Sequence, residues 1–396
     1  MSIKRGKVEG WLAVGVIVSG CVCSCPVKTD PVTVGVIRWD AWHAPEDGSA
    51  HGGGGGPVKA MERSLNPPRY RHRAPFFARV DTNDVLRIDG YTQKIVDQEI
   101  AFAQAGGVDY FAFLLYDENT CMSQGLSLYL SSARRRDVNF CAIASPSTFG
   151  AQASWPAGVG RIVRLMKEPG YQTVCGGRPL LYLFRPEEKW VSAWGGPAGA
   201  RQLFDGLRRS AKSAGLGVPY IVVMHQGSAE SGKRATEAVG AQALSDYARQ
   251  KSAAGTPFAE LAAAARAFWE ACGATGLEVV PLAMAGWDRR PRVEHPVPWE
   301  SWQKPGAGLE TYTVAPTPRE LAGHIGEAMG WAEARPKQCP AQTVIVYAWN
   351  EHDEGGWLCP TLGADGSPDA SRLKAVAEMR ERRVQEMKKG KNDESR

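Results

Sequence analysis

From residue 33 onward the chain alternates short apolar runs with longer stretches whose apolar residues recur every three to four positions, the pattern of strands and amphipathic helices taken in turn. Eight runs read as strands: residues 34–38, 110–115, 140–144, 179–184, 220–224, 243–246, 279–283 and 344–348. The sixth, Ala-Leu-Ser-Asp, is the least strand-like in composition. Helical periodicity predicts helices over 92–105, 155–166, 198–214, 258–272 and 318–335, with 371–388 closing the chain. Eight such repeats predict an α/β fold, a (β/α)8 TIM barrel, with long βα loops after strands one and seven, at 41–90 and 285–317. Either loop could overlie the barrel mouth as a lid. The predicted organisation is a leader and tether over 1–33, one catalytic barrel over 34–390 and a polar tail over 391–396.

In such a barrel ligands bind where the strands end, so the residues that follow each run carry the functional information. In order they are Trp39 and Asp40, Tyr116 and Asp117, Ser145, Arg185, His225 and Gln226, Asp246 and Tyr247, Trp287 and Asp288, and then Trp349, Asn350, Glu351, His352, Asp353 and Glu354, with Trp357 close behind. Aromatics, carboxylates and amides dominate, although a loop cap or a salt bridge is an equal use for any one of them. The last group is the densest. A β-branched apolar run, Val-Ile-Val-Tyr-Ala, of the kind buried on both faces in a parallel sheet, leads straight into two glutamates three residues apart among indoles and an amide. One short loop thus offers an acid, a base and a surface on which a sugar can stack.

The 396 residues are 43% hydrophobic and 22% charged, enough to bury a large core. The formal net charge is +5, but residues 1–9 contribute +2 (three basic, one acidic) and residues 372–396 contribute +4 (nine basic, five acidic), leaving about −1 for the rest. Basic ends on a neutral body argue against a nucleic-acid groove. The run Gly52 to Gly56 lacks the Gly-Lys-Ser/Thr of a phosphate loop and reads as a flexible tether. HExxH, GxSxG and CxxC are all absent, so neither metal nor cofactor is expected.

Lys4, Arg5 and Lys7 precede the weak apolar stretch 11–18, too short to span a bilayer, and Val18-Ser19-Gly20-Cys21 follows it. This is the layout of an export signal, interrupted by Glu9. Two readings stand: a lipoprotein leader with Cys21 as the lipidated residue, or a plain or uncleaved leader. Either implies export to a bacterial periplasm or cell surface, with membrane attachment only through such a lipid anchor. Among the nine cysteines, the six from Cys121 onward could supply disulfides, with Cys141 reading as a buried thiol.

The segment 349–355, Trp-Asn-Glu-His-Asp-Glu-Gly, with Pro360 beyond it, resembles the Trp-Asn-Glu-Trp-x-Glu-Gly segment of glycoside hydrolase family 99 and the related WbsX-like bacterial polysaccharide proteins. Residues 285–292, Ala-Gly-Trp-Asp-Arg-Arg-Pro-Arg, resemble the Pro-Gly-Trp-Asp-x-x-Pro-Arg segment of the same group, and weaker likenesses lie at 98–113 and 178–186. The resemblance implies a retaining, endo-acting hydrolase that needs no metal. It matches Glu351 to the glutamate that takes the proton of the sugar 2-hydroxyl, so that this oxygen displaces the leaving group through a 1,2-anhydro intermediate. Glu354 matches the general acid/base. His352 stands where the family has an aromatic Trp, and Asp353 is an added acid with the reading of a capping or supporting group. Mannose specificity does not carry over.

Three functions remain in view. The first is an exported glycoside hydrolase acting on an oligo- or polysaccharide. The second is a carbohydrate-binding lipoprotein without turnover, in which the two glutamates would lie far apart or be tied into salt bridges. The third is a role in polysaccharide biosynthesis, against which an export signal argues because activated nucleotide sugars are cytoplasmic.

Overall fold

The computed structural model describes residues 32–43, 56–250 and 253–394; the leader, with Cys21, lies outside the described residues. Eight parallel strands form the barrel: β1 (Thr33–Arg38), β2 (Tyr110–Leu114), β3 (Asn139–Ala144), β4 (Arg178–Phe184), β5 (Tyr220–Met224), β6 (Ala243–Ser245), β7 (two segments, Glu278–Val279 and Leu282–Met284) and β8 (Thr343–Tyr347). All eight predicted strands are found, each displaced by two residues or fewer. The sixth forms despite its composition because β5 and β7 flank it on both sides.

The ring closes through β7. Its first segment pairs with β6 and its second with β8, and β8 pairs with β1. Pro281 sits at the hand-over and has no N–H to donate; its carbonyl accepts from Ile345 N at 3.0 Å. This offset of partners along one strand is the stagger that a closed barrel requires. Inside, Gly35 on β1 leaves room for the ring of Tyr110, which a Cβ at that position would meet at 2.1 Å. The Tyr110 hydroxyl bonds Tyr182 and Thr343 hydroxyls, each at 2.9 Å, and so ties β2, β4 and β8 together in the interior.

The predicted helices appear as Gln93–Ala105, Trp155–Met166, Gly196–Ser213, Phe258–Ala274, Pro318–Glu333 and Ser371–Glu394; the last runs into the stretch expected as a polar tail. The side chains of Thr92 and Thr317 cap two of them by accepting N–H bonds. Three helices of eight residues or more were not predicted: Gly56–Leu65, Gln124–Ser131 and Ala229–Val239. The last buries Ala229, Gly232 and Thr236, too small or too polar to register as an apolar stripe, with Val239 alone beside them. The first begins at the glycine expected to end a tether, and it buries Val58, Met61 and Leu65 in a satellite core with Trp42. Cys141, Cys272, Cys339 and Cys359 are buried free thiols, whereas Cys175 is disulfide-bonded.

Candidate active site

The end of β8 delivers its acids inward. After the cis peptide between Tyr347 and Ala348, Asn350 and Glu351 pair antiparallel with Gly356 and Trp357, and a single turn over His352–Glu354 closes this small hairpin. Its αL residue is Gly355, with φ of 82°. The Asn350 side chain clasps the backbone of Trp39, accepting from its N at 2.9 Å and donating to its carbonyl, so the mouth ends of β8 and β1 are locked together. Glu351 and Glu354 are only 4% and 8% exposed, and both line a hollow of about 800 Å³ at the barrel mouth.

Arg292 organises the acids. Its guanidinium meets Asp353 through Nε at 2.5 Å and Nη2 at 3.1 Å, Glu354 through Nη1 at 2.6 Å, Glu351 through Nη2 at 3.2 Å and Glu300 through Nη1 at 3.1 Å. Glu354 has two further donors, Arg289 Nε at 2.9 Å and the Tyr347 hydroxyl. Glu351 has one, the Tyr247 hydroxyl at 3.3 Å. The difference in donors separates the two carboxyls. Burial first, and then the neighbouring Glu354 charge, push Glu351 well above the usual carboxylate range. Burial pushes Glu354 in the same direction, but Arg292 and Arg289 outweigh it and hold this carboxyl below its ordinary value. Of the two carboxyls, Glu351 is thus the one that holds a proton more tightly and Glu354 the one whose surroundings favour the ionised form.

Of the other residues singled out in the sequence, Trp39, Arg185, Gln226, Tyr247 and Trp287 line the same hollow. Trp39 donates its indole N–H to the Tyr116 hydroxyl at 2.8 Å, so Tyr116 supports the wall from behind. The remainder are not brought to the hollow. Asp40 is buried against Arg38, whose Nη2 also meets Glu99 at 2.7 Å; Trp349 is fully buried and donates its N–H to the same Glu99. Asp288 is held by Arg73 and Arg290, and Asp246 by Arg249. Asp117 is exposed, and His225 bonds Ser231 at 2.8 Å. Trp357 is buried, with the Arg372 guanidinium 3.7 Å from its centroid and the His352 ring stacked at 6.0 Å, and it does not line the hollow. His352 packs edge-on to Trp42 as well; burial, and then Arg372, lower its pKa to about 3, so it is a neutral aromatic filler.

Sequence reasoning missed Arg289, Arg292 and Glu300 as site residues, together with Tyr347, Arg249, Trp299 and Trp302. A signal for the arginines was present. Three of them fall within residues 289–292 and three acids within 351–354, and the two segments follow the mouth ends of neighbouring strands.

Two solved structures of the GH99 endo-alpha-mannosidase from Bacteroides thetaiotaomicron, one of them in complex with BIS-TRIS-propane, are similar to this chain. Each has a TM-score of 0.52 at 15% identity, covering 91% of this chain and 98% of the other. At that identity the likeness establishes the barrel fold. No protein-family model matches the chain, and no curated protein matches it.

Proposed function

We propose that this chain is an exported, retaining glycoside hydrolase that cuts within α-linked glycans, with Glu351 and Glu354 as its reacting groups. The reading is carried by one observation: two buried carboxyls from one strand end face a common hollow with their proton affinities driven apart. Two-carboxylate hydrolysis needs that division of labour. The ionised carboxylate takes the proton of the sugar 2-hydroxyl, and O2 closes on the anomeric carbon. The protonated carboxyl gives its proton to the departing oxygen. Water then opens the 1,2-anhydro ring: its oxygen bonds the anomeric carbon, one of its protons goes to the carboxylate that acted as acid, and the other carboxyl returns the 2-hydroxyl proton to O2. The opposite directions of the two proton affinities favour Glu354 and Glu351 respectively for these roles. The family resemblance assigns them the other way round, which requires entering substrate to draw Arg292 or Arg289 off Glu354. A barrel shared with an endo-alpha-mannosidase supports the reaction class and leaves the sugar open.

A second reading, carbohydrate binding without turnover, draws on the contact of Arg292 with both glutamates. One experiment separates them. The chain is incubated with a panel of α-linked polysaccharides while reducing ends and product anomers are followed by NMR. New ends appearing with the anomeric configuration retained support hydrolysis, whereas bound but uncut glycan supports the second reading.

A further inference from the structure

We infer that Trp299 and Trp302, on the loop after β7, form an outer sugar-binding platform, so that the site takes a chain of several pyranose rings lying across that loop. This rests on the carbohydrate reading above and extends it from the reacting bond to the body of the substrate. Trp302 is 65% exposed and Trp299 42%, and both line the hollow that holds Glu351 and Glu354. An exposed indole forgoes a large apolar burial, and two within four residues at one cavity mouth call for a ligand.

The geometry connects this platform to the reacting carboxyls. Arg289 bonds Glu354 at 2.9 Å, meets Glu300 as well, and sets its guanidinium carbon 4.8 Å from the ring centroid of Trp302. One face of that indole is thereby taken and the rest of the ring stays in solvent. Trp299 packs edge-on to Trp39, with centroids 5.6 Å apart and planes at 61°, which continues the aromatic wall from inside the hollow to its rim. The surroundings decide what kind of ligand fits. Arg185, Gln226, Arg249 and Glu300 line the same hollow, and such groups satisfy hydroxyls where an apolar protein surface would leave them unpaired. A pyranose matches both halves, with C–H groups for the indole face and hydroxyls for the polar rim.

The test uses the full chain carrying Glu351→Gln, so that substrate is held and not consumed, and measures affinity by calorimetry for linear α-linked oligosaccharides of increasing length. Affinity rising with length is expected, together with a loss of roughly tenfold for the longest chain when Trp299→Ala or Trp302→Ala is added. Trp302→Phe is expected to recover most of that loss. Unchanged thermal midpoints show that these exposed positions leave the fold intact. Affinity that does not depend on length, or alanine variants that bind the longest chain as tightly as their parent, overturns the platform. If the native chain still cuts glycans in the reducing-end assay, the hydrolase reading survives that failure. Absence of binding at every length, with no cutting by the native chain, overturns both.

Discussion

Arg292 reaches Glu354 at 2.6 Å with one Nη atom and Glu351 at 3.2 Å with the other, so one guanidinium spans the two carboxyls proposed to react. It also holds the fully buried Asp353 in a two-point contact. A guanidinium shared by several buried acids cannot be removed without leaving charge uncompensated in a poorly solvated place, and Arg289 reaches only Glu354 and Glu300 among them. Arg292→Ala is accordingly expected to destabilise the chain by about 3–5 kcal/mol in urea unfolding, with catalysis lost alongside. A midpoint close to that of the native chain would show that water compensates these acids and that the guanidinium does not organise them.

The division of protons between Glu351 and Glu354 has a kinetic signature. Activity that needs Glu351 protonated falls on the alkaline side as that carboxyl ionises, and activity that needs Glu354 ionised falls on the acid side as it gains a proton. Glu351→Gln is expected to lower turnover of natural glycans by orders of magnitude, to remove the alkaline limb, and to spare hydrolysis of aryl glycosides whose leaving group needs no proton. Glu354→Gln is expected to abolish both. Sparing of aryl glycosides by Glu354→Gln instead would assign the roles as the family resemblance has them.

Two tryptophans that look equivalent in the sequence are expected to behave differently. Trp287 lines the hollow and is also buried against Tyr347, so Trp287→Ala should raise KM alongside a loss of stability. Trp357 is enclosed by Arg372 and His352, and Arg372 also donates to the Trp357 carbonyl at 2.8 Å. Trp357→Ala should therefore cost about 3–5 kcal/mol of stability, as a buried aromatic does, read as a shift in unfolding midpoint. Weakened sugar binding by Trp357→Ala at unchanged stability would return this ring to the binding surface.

The contrast between these residues marks what the sequence could reveal. Strands were legible because a parallel barrel buries both faces of each strand, so a run such as Tyr-Ile-Val-Val-Met at 220–224 announces itself without knowledge of its neighbours. Glu351 and Glu354 were legible because a strand end fixes where they point. The direction taken by Trp349 and Trp357 was not, because it depends on Glu99 and Arg372, which are 250 and 15 residues away along the chain. Charge pairing was hidden in the same way. Asp40, Asp246 and Asp288 each follow a strand and each turned to a basic residue nearby, the alternative that composition alone leaves open.

Asp246 gives a prediction with a defined sign. Burial, offset in part by Arg249, raises its carboxyl from 3.8 to about 7. Between those values the folded chain keeps a proton that the unfolded chain has released, so its contribution to stability is whole below about pH 4 and is lost as the pH rises towards 7. The difference in unfolding free energy between native chain and Asp246→Asn is expected to move in the variant's favour across that window, measured by urea titration at each pH. A difference that stays flat from pH 4 to 7 would mean that Arg249 keeps Asp246 ionised throughout.

Gly355 and Gly286 meet where the loops after β8 and β7 cross, and their backbones leave no room for a side chain. A Cβ on Gly355 would lie 2.6 Å from Asp288 N, at a φ of 82° that L-residues rarely adopt, while a Cβ on Gly286 would lie 2.2 Å from the Gly355 carbonyl. Asp288 N in turn donates to the Glu354 carbonyl at 2.7 Å, so this crossing sets the height of Glu354 in the hollow. Gly355→Ala is expected to cost about 1–3 kcal/mol from the strained backbone and to lower kcat by about a hundredfold, because an ångström of displacement at a reacting carboxyl is enough for that. Stability and kcat are read on the same preparation. Loss of stability with kcat preserved would show that the loop shifts as a unit and carries Glu354 with it unharmed.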